Sequence, residues 1–422
     1  MLAPGVVEDD SAWLGYDPLF EVGAEFDRGL FIRSTELRRR PYSMYVGGRL
    51  QLRHTAFTRD EETWTDAAGV TREIRNRNDF ETERARINIS GTALHPDVTY
   101  LFILDGDSDG DANVDLLTYI FTYEVAPCLR IRGGRWKAAS DREWLESSRF
   151  LRFADRSMGT EYFRAGFTDG VWLIGELGET WTYEASLTNG LRTSNRRPRN
   201  LDDNVALAAT VFCDPWGAYG PGEVDYVCRA SPVARFGMSC AFEKTDDRSD
   251  VGFPLGDANY LTLSDGTRLA DTGALAPGVS LLSAQLLKAS FDAGVKWRGW
   301  SLSGEYFLRS LQDLVADGAI PHSKLYDYGY HLDAGVFLVP KRLDINARMA
   351  QVSGFRGNAY EYTFGGNWYW GNGQHDGKLD DRVNKFTMDV TVLKGAPITS
   401  TQANFFAGDD GVLFRTQLQV GY

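Results

Sequence analysis

The chain has 422 residues and a net charge of −13, with 43% hydrophobic, 13% aromatic and 24% charged residues. The acidic balance argues against a nucleic-acid partner, and no run of about 18 apolar residues exists, which excludes membrane-spanning helices. The opening Met1-Leu2-Ala3-Pro4 has neither a basic n-region nor an apolar h-region, so a mature or trimmed chain is expected.

Residues 1–40 follow no period and are expected to form an irregular lead-in. From there on, apolar and polar residues alternate at period two, the signature of strands with two unlike faces. About sixteen such segments follow, at 44–57, 82–92, 98–105, 116–125, 128–137, 170–177, 180–189 and 203–212, then at 233–244, 285–298, 300–311, 325–339, 342–353, 360–371, 383–394 and 411–422. The last is typical: Val412, Phe414, Leu418, Val420 and Tyr422 share one face with Thr416, while Leu413, Arg415, Gln417 and Gln419 share the other.

The connectors alternate in length. Short ones are His95-Pro96-Asp97, Ala126-Pro127, Gly178-Glu179, Gly299 and Pro340-Lys341. Long ones span 58–81, 106–115, 138–169, 190–202, 245–284, 312–324 and 395–410; the turns at 213–232 and 372–382 break the rule. A soluble sandwich has no reason to alternate in this way. An even number of strands, short turns at one end and long loops at the other describe a bacterial outer-membrane barrel. The mean hydropathy of −0.32 does not oppose this, because half of each barrel strand faces water. The expected fold is therefore all-β: an antiparallel transmembrane barrel of about 16 strands over residues 41–422. Its turns are periplasmic and short, its loops external and long, residues 1–40 are a periplasmic lead-in, and lipid is its surroundings.

One parity of the strands is apolar, with aromatics toward the ends, as at a membrane interface. The other carries charge. Arg49, Arg53, Arg84, Arg86, Arg130 and Arg132 share that face on the first, second and fifth segments, and alternation places no acid among them. Of the 45 basic residues only nine are Lys, so 36 are Arg. Rings of Arg along a pore favour anions. The alternative is a mixed-charge lumen in which these arginines pair across strands.

Asp105, Asp107, Asp109, Asp111 and Asn113 alternate like the start of a Ca²⁺ loop, with Gly110 at its sixth position. The Glu expected at position twelve is replaced by Leu116, which leaves a solvated acidic loop tip as the alternative. Cys213 and Cys228 flank a Pro/Gly-rich turn and are expected to pair in an oxidising periplasm. The five histidines sit near no Ser or Cys nucleophile, so no enzyme chemistry is expected and no cofactor is required; His331 alternates onto the lumen face beside Asp333.

The densest familiar stretch is Leu-Arg-Ile-Arg-Gly-Gly-Arg-Trp-Lys at 129–137, then Arg-Glu-Trp-Leu-Glu-Ser-Ser-Arg-Phe-Leu-Arg-Phe-Ala-Asp-Arg-Ser at 142–157. With Gly47-Gly-Arg-Leu-Gln, Arg84-Ala-Arg-Ile-Asn-Ile-Ser-Gly and Gly335-Val-Phe-Leu-Val-Pro, it resembles the phosphate-selective porins O and P from about Phe26 to Tyr422. The resemblance implies a sixteen-stranded homotrimeric porin whose loop 138–169 folds inward. It makes Arg142, Arg149, Arg152, Arg156 and Lys378 candidate pore residues. The function implied is passive diffusion of small hydrophilic solutes and ions with an anion preference, although few lysines and an acidic total depart from the family pattern. A plugged barrel serving as a scaffold or docking surface in an outer-membrane complex is the alternative.

Overall fold

The computed structural model describes residues 19–25, 29–106, 114–193, 201–246, 255, 260–370, 384–398 and 406–421. Where an irregular lead-in was expected, β1 (Phe20–Glu25) and β2 (Gly29–Ser34) form a hairpin ahead of the first long strand, β3 (Ser43–Arg59). β4 (Thr63–Thr65) and β5 (Thr71–Glu73) make a small separate ribbon. There follow β6 (Arg77–Thr92), β7 (Val98–Gly106), β8 (Val114–Ala126), β9 (Leu129–Lys137), β10 (Phe167–Leu177), β11 (Trp181–Thr188), β12 (Ala206–Cys213) and β13 (Val233–Asp246). The series ends with β14 (Leu281–Trp297), β15 (Trp300–Ala316), β16 (Leu325–Val339), β17 (Leu343–Gly354), β18 (Gly357–Tyr369), β19 (Lys385–Lys394) and β20 (Gly411–Gly421).

From β6 onward each strand pairs antiparallel with the next. β3 pairs with β6 on one side and with β20 on the other, from Gly411↔Arg59 to Gly421↔Arg49. The result is a closed 16-stranded barrel. Closure pairs the backbone groups of every strand within the sheet, the condition for crossing hydrocarbon.

The alternation read from the sequence is the alternation of environments. On β18 Tyr362, Phe364 and Trp368 are exposed while Glu361, Thr363 and Asn367 are buried. On β19 Phe386, Met388, Val390 and Val392 point outward and Thr387, Asp389 and Thr391 inward.

Strand β6 departs from simple alternation. Between β3 and β6 the register slips, so that Gln51 faces Arg84 while Leu52 faces Thr82. Glu83 is the extra residue of this bulge, and a bulge re-aims side chains. It turns Glu83 inward and switches the inward parity of β6 from Arg84 and Arg86 to Glu81.

The lumen is wet only in part. Three segments fold into it and build apolar clusters of the kind found in soluble proteins. Ala138, Ala139 and Ala165 join Leu261, Leu263, Leu269 and Leu275 of an external loop against Trp172, Leu286 and Leu311 of the wall. Met158, Tyr162 and Phe163 cover Phe57, Phe307, Val352 and Leu393. From the periplasmic side, Val224 and Tyr226 of the 214–232 turn pack on Phe337 and Tyr369.

The two faces of β19 predict unequal costs of substitution. Met388→Arg places a charge in hydrocarbon and should cost about 2–4 kcal/mol near the bilayer midplane. Thr387→Ala, on the inward side, should cost far less. Urea-driven folding equilibria in lipid vesicles measure both.

Candidate functional site

The inward loop, residues 138–166, carries α1 (Arg142–Leu145), a single 3₁₀ turn (Ser148–Phe150) and α2 (Met158–Phe163). None is long enough to be stable alone; the barrel wall supplies the missing partners. The Glu305 carboxylate accepts from the backbone N–H of Arg142 (2.9 Å) and Glu143 (3.3 Å), at the end of α1 where the helix favours an anion. Ser157 caps α2 by accepting from Thr160 N–H at 3.0 Å. Glu361 accepts from Met158 N–H and Asp389 from Ala154 N–H (2.9 Å). Lys137 donates to the carbonyls of Trp144, Leu145 and Glu146, closing α1 at its C-terminal end.

The centre of attachment is Asp155. Its carboxylate lies 2.6 Å from Arg53, 3.1 Å from Arg84 and 3.8 Å from Arg415. Glu83, delivered by the bulge, pairs with Arg53 at 2.9 Å and Arg84 at 2.8 Å. Opposite, Glu143 accepts from Arg348 (2.6 Å) and from Ser157 (2.8 Å). Asp141 pairs with Lys288 of β14.

These contacts decide what each candidate arginine does. Arg53 and Arg84 are not an acid-free pair lining the pore: both are fully paired and buried, because the bulge and the loop bring Glu83 and Asp155 to them. Arg152 is buried against Asn346 (2.9 Å) and Ser301 (3.1 Å). Arg156 donates to the loop carbonyls of Glu143 and Glu146 and stacks on Trp144. Arg142 pairs with Asp292 at 3.0 Å and Glu223 at 3.3 Å. Arg53, Arg84, Arg142 and Arg152 act as bolts between loop and wall, while Arg156 ties the loop to itself.

The others form a different group. Arg49 is buried, and one guanidinium nitrogen donates to Ser148 Oγ at 2.9 Å. Its Nε and second terminal nitrogen have no acceptor among the described residues. The charges that act on it most are those of Arg86, Arg84 and Arg149, with Asp105 as counter-charge. Arg86 reaches Ser148 at 3.5 Å and is held by Asp105 on β7 at 2.6–2.8 Å. Arg149 lies over the Phe150 ring at 5.8 Å. Arg130 is half-exposed, 3.4 Å from Glu176; Arg132 donates to Thr122 and stacks on Trp136. The inner wall of β6 to β11 thus keeps charged side chains in reach of solvent.

Glu143, Glu223 and Asp333 bring carboxylate oxygens within 4.8 Å of one another. Arg348, Arg142 and Arg152 are interleaved with them. His331 lies 3.3 Å from Asp333 and 3.7 Å from both Glu143 and Glu305. The cations supply the counter-charge that a metal ion would, so the cluster reads as an ion-pair network. Glu223, in the periplasmic turn, is pushed up to about 7 by burial and then by Asp333, against the pull of Arg142. Sequence reasoning missed it: nothing in the Pro/Gly-rich turn distinguishes an acid that enters the lumen from one in solvent.

The other sequence expectations fall as follows. The disulfide between Cys213 and Cys228 is not formed; both are free thiols. Cys213 ends β12 opposite Phe236, whereas Cys228 packs beside the Phe337–Tyr369 cluster, drawn inward with the turn. Of the acidic loop, Asp105 points inward to Arg86, and Asp107, Asp109, Asp111 and Asn113 lie outside the described residues, as does Lys378.

No protein-family model matches the chain, and no curated protein matches it. Solved structures do. An anion-selective porin from Comamonas acidovorans aligns over 90% of this chain and 98% of its own, with a TM-score of 0.52 at 13% identity. Pseudomonas putida OprB aligns over 90% and 94%, with a TM-score of 0.51 at 9% identity. A loop L8 deletion mutant of OmpT, an outer membrane protein of Vibrio cholerae, aligns over 90% and 99%, with a TM-score of 0.50 at 10% identity. At such identities the likeness shows the fold. The chain is a closed β-barrel with the porin architecture.

Asp155 offers a direct check on the loop attachment. Asp155→Ala leaves Arg53 and Arg84 short of a partner, and breaking a buried ion pair from one side costs about 3–5 kcal/mol. The variant should show a lower urea midpoint, and proteolysis within 138–166 should appear before the barrel unfolds.

Proposed function

We propose that this barrel is a porin for passive diffusion of small hydrophilic solutes, with a preference for anions set where Arg49, Arg86 and Arg149 meet Ser148. The observation that carries the anion preference is Arg49. It is a buried guanidinium with two nitrogens lacking an acceptor among the described residues, and the charges acting on it are mainly those of other arginines. A charge in that position is under-compensated, and low-dielectric walls strengthen its action on a passing ion relative to the screened acids of the outer loops. Arg130 and Arg132 extend the basic stretch along β9, tempered by Glu176.

The narrower resemblance to the phosphate-selective O and P porins rests on the motifs of the inward loop and its neighbouring strands. It supports phosphate or a similar oxyanion as one solute and a homotrimer as the assembly. Arg suits this chemistry because its planar fork matches oxyanions bidentately. No turnover chemistry is proposed, since His331 is ringed by carboxylates and Arg348. A Ca²⁺ ion at the 105–113 loop stays a proposal; Asp105 would have to share its carboxylate with Arg86.

A second reading, a plugged scaffold barrel, is favoured by one observation: three inward segments fill the lumen beside β13 to β20. Planar-bilayer recording separates the two. A porin gives stepwise conductance, and its reversal potential in a KCl gradient has the sign of anion preference. Arg49→Gln combined with Arg130→Ala and Arg132→Ala should lower the anion-to-cation ratio. One unit charge at about 4 Å in water-like surroundings is worth about 1 kcal/mol, or roughly fivefold in that ratio. Cation preference unchanged by the substitutions would overturn the selectivity, and absence of conductance from folded protein would support the plugged barrel.

A further inference from the structure

The hairpin β1–β2 is not part of the closed barrel, yet it continues the barrel's wall. β2 pairs with β3 through Leu30↔Val46 and Ile32↔Met44, on the stretch of β3 that β20 does not reach. β1 pairs on β2 through Val22↔Ile32 and Ala24↔Leu30. Among the described residues β1 has no strand on its other edge. The hairpin therefore lies below the end of β20, as a two-stranded extension of the sheet toward the periplasm.

Its two faces differ. Glu21 and Glu25 of β1 both pair with Arg33 of β2, the latter at 2.8 Å. Arg33 also lies over the Phe31 ring at 4.5 Å, and Phe31 meets Tyr45 with centroids 5.8 Å apart. This face satisfies itself. The opposite face is apolar and uncovered: Val22 is 76% exposed, Leu30 62%, Phe20 44% and Ile32 42%. Ala24 completes it, and no charged side chain interrupts it.

Register tells which way this face points. Ile32 and Leu30 stand opposite Met44 and Val46, which have the outward parity of β3 shared by Leu50 and Leu52. The apolar face is thus a direct continuation of the lipid-facing wall. Depth agrees. The outward side of β3 is apolar or glycine from Met44 to Leu52 and becomes polar at His54. The eight steps from Met44 to Leu52, at about 3.3 Å each and tilted about 40°, rise roughly 20 Å along the barrel axis, most of the apolar band of about 25 Å in such barrels. Met44, and the hairpin beside it, then lie at the lower edge of that band, where apolar side chains meet headgroups and acyl chains.

We propose that the β1–β2 hairpin is a monotopic anchor whose apolar face lies against the periplasmic leaflet of the outer membrane, with lipid as its partner. It widens the wall where β20 ends and turns its ion-paired face toward the periplasmic mouth of the lumen. The proposal rests on the barrel's place in the outer membrane and not on its solute.

The test uses the full chain reconstituted in vesicles of phosphatidylethanolamine and phosphatidylglycerol, with a photoreactive residue at Val22, at Leu30 or at Glu21. Irradiation should add the mass of one phospholipid at Val22 and at Leu30, with loss of that adduct at Glu21 on the opposite face. A chain-to-chain cross-link from Val22 in place of the lipid adduct would overturn the proposal and make the face an interface between copies. Equal lack of lipid adducts at all three positions would overturn it as well, leaving the face solvated. Val22→Glu with Leu30→Glu, carrying the probe at Ile32, should lose the lipid adduct while the single-channel conductance stays unchanged. Persistence of the adduct in that variant would also count against the anchor.

Discussion

The structure depends on the buried ion pairs that hold the inward loop to the wall, above all Asp155 between Arg53, Arg84 and Arg415. A loop of short helical turns cannot hold itself inside a barrel. Without partners its backbone groups and acids would prefer water. The wall offers what it lacks: Glu305, Glu361 and Asp389 accept from its N–H groups, while Arg53, Arg84, Arg348 and Lys288 meet its carboxylates. Buried pairs of this kind give little net stability over an apolar core but penalise every arrangement that separates them. They thus specify where the loop lies more than they strengthen the barrel.

That placement divides the lumen. Beside β13 to β20 the loop, the external segment with Leu261 to Leu275 and the periplasmic turn with Tyr226 make apolar and ion-paired contacts resembling a soluble core. Beside β6 to β11 the wall keeps Arg86, Arg130, Arg132 and Glu176 half-buried or exposed. Arg49 and Ser148 stand at the boundary between the two halves. An ion moving through the barrel would meet charge on one side and packed protein on the other. Under-compensated positive charge therefore falls on a few arginines at this boundary rather than on a ring of them.

Much of the fold was legible in the sequence because the bilayer enforces a simple rule. Each strand must show apolar residues to lipid and can show polar ones inward, so period two, strand number and connector lengths follow from local pattern, as in Phe386-Thr387-Met388-Asp389-Val390. The same rule identified the inward arginines of β3, β6 and β9. It failed at Glu83, where one bulged residue changed the parity, and at residues 1–40, where the strands of the hairpin are too short to stand out from irregular chain.

What the sequence by itself determined is the face on which each strand residue lies and the charge it carries there. Only the tertiary structure decided which charges remain uncompensated. Arg53 and Arg49 are two of the same residue, four apart on the same face of one strand. The first meets Asp155 and Glu83 and becomes a structural bolt; the second meets Ser148 and other arginines. The difference comes from residues about a hundred positions away, brought in by a loop whose position is fixed by long-range ion pairs, and such contacts leave no period in the sequence. The free thiols of Cys213 and Cys228 have the same origin: the turn between them is drawn into the lumen by Tyr226 and Glu223, and proximity in sequence does not survive that packing.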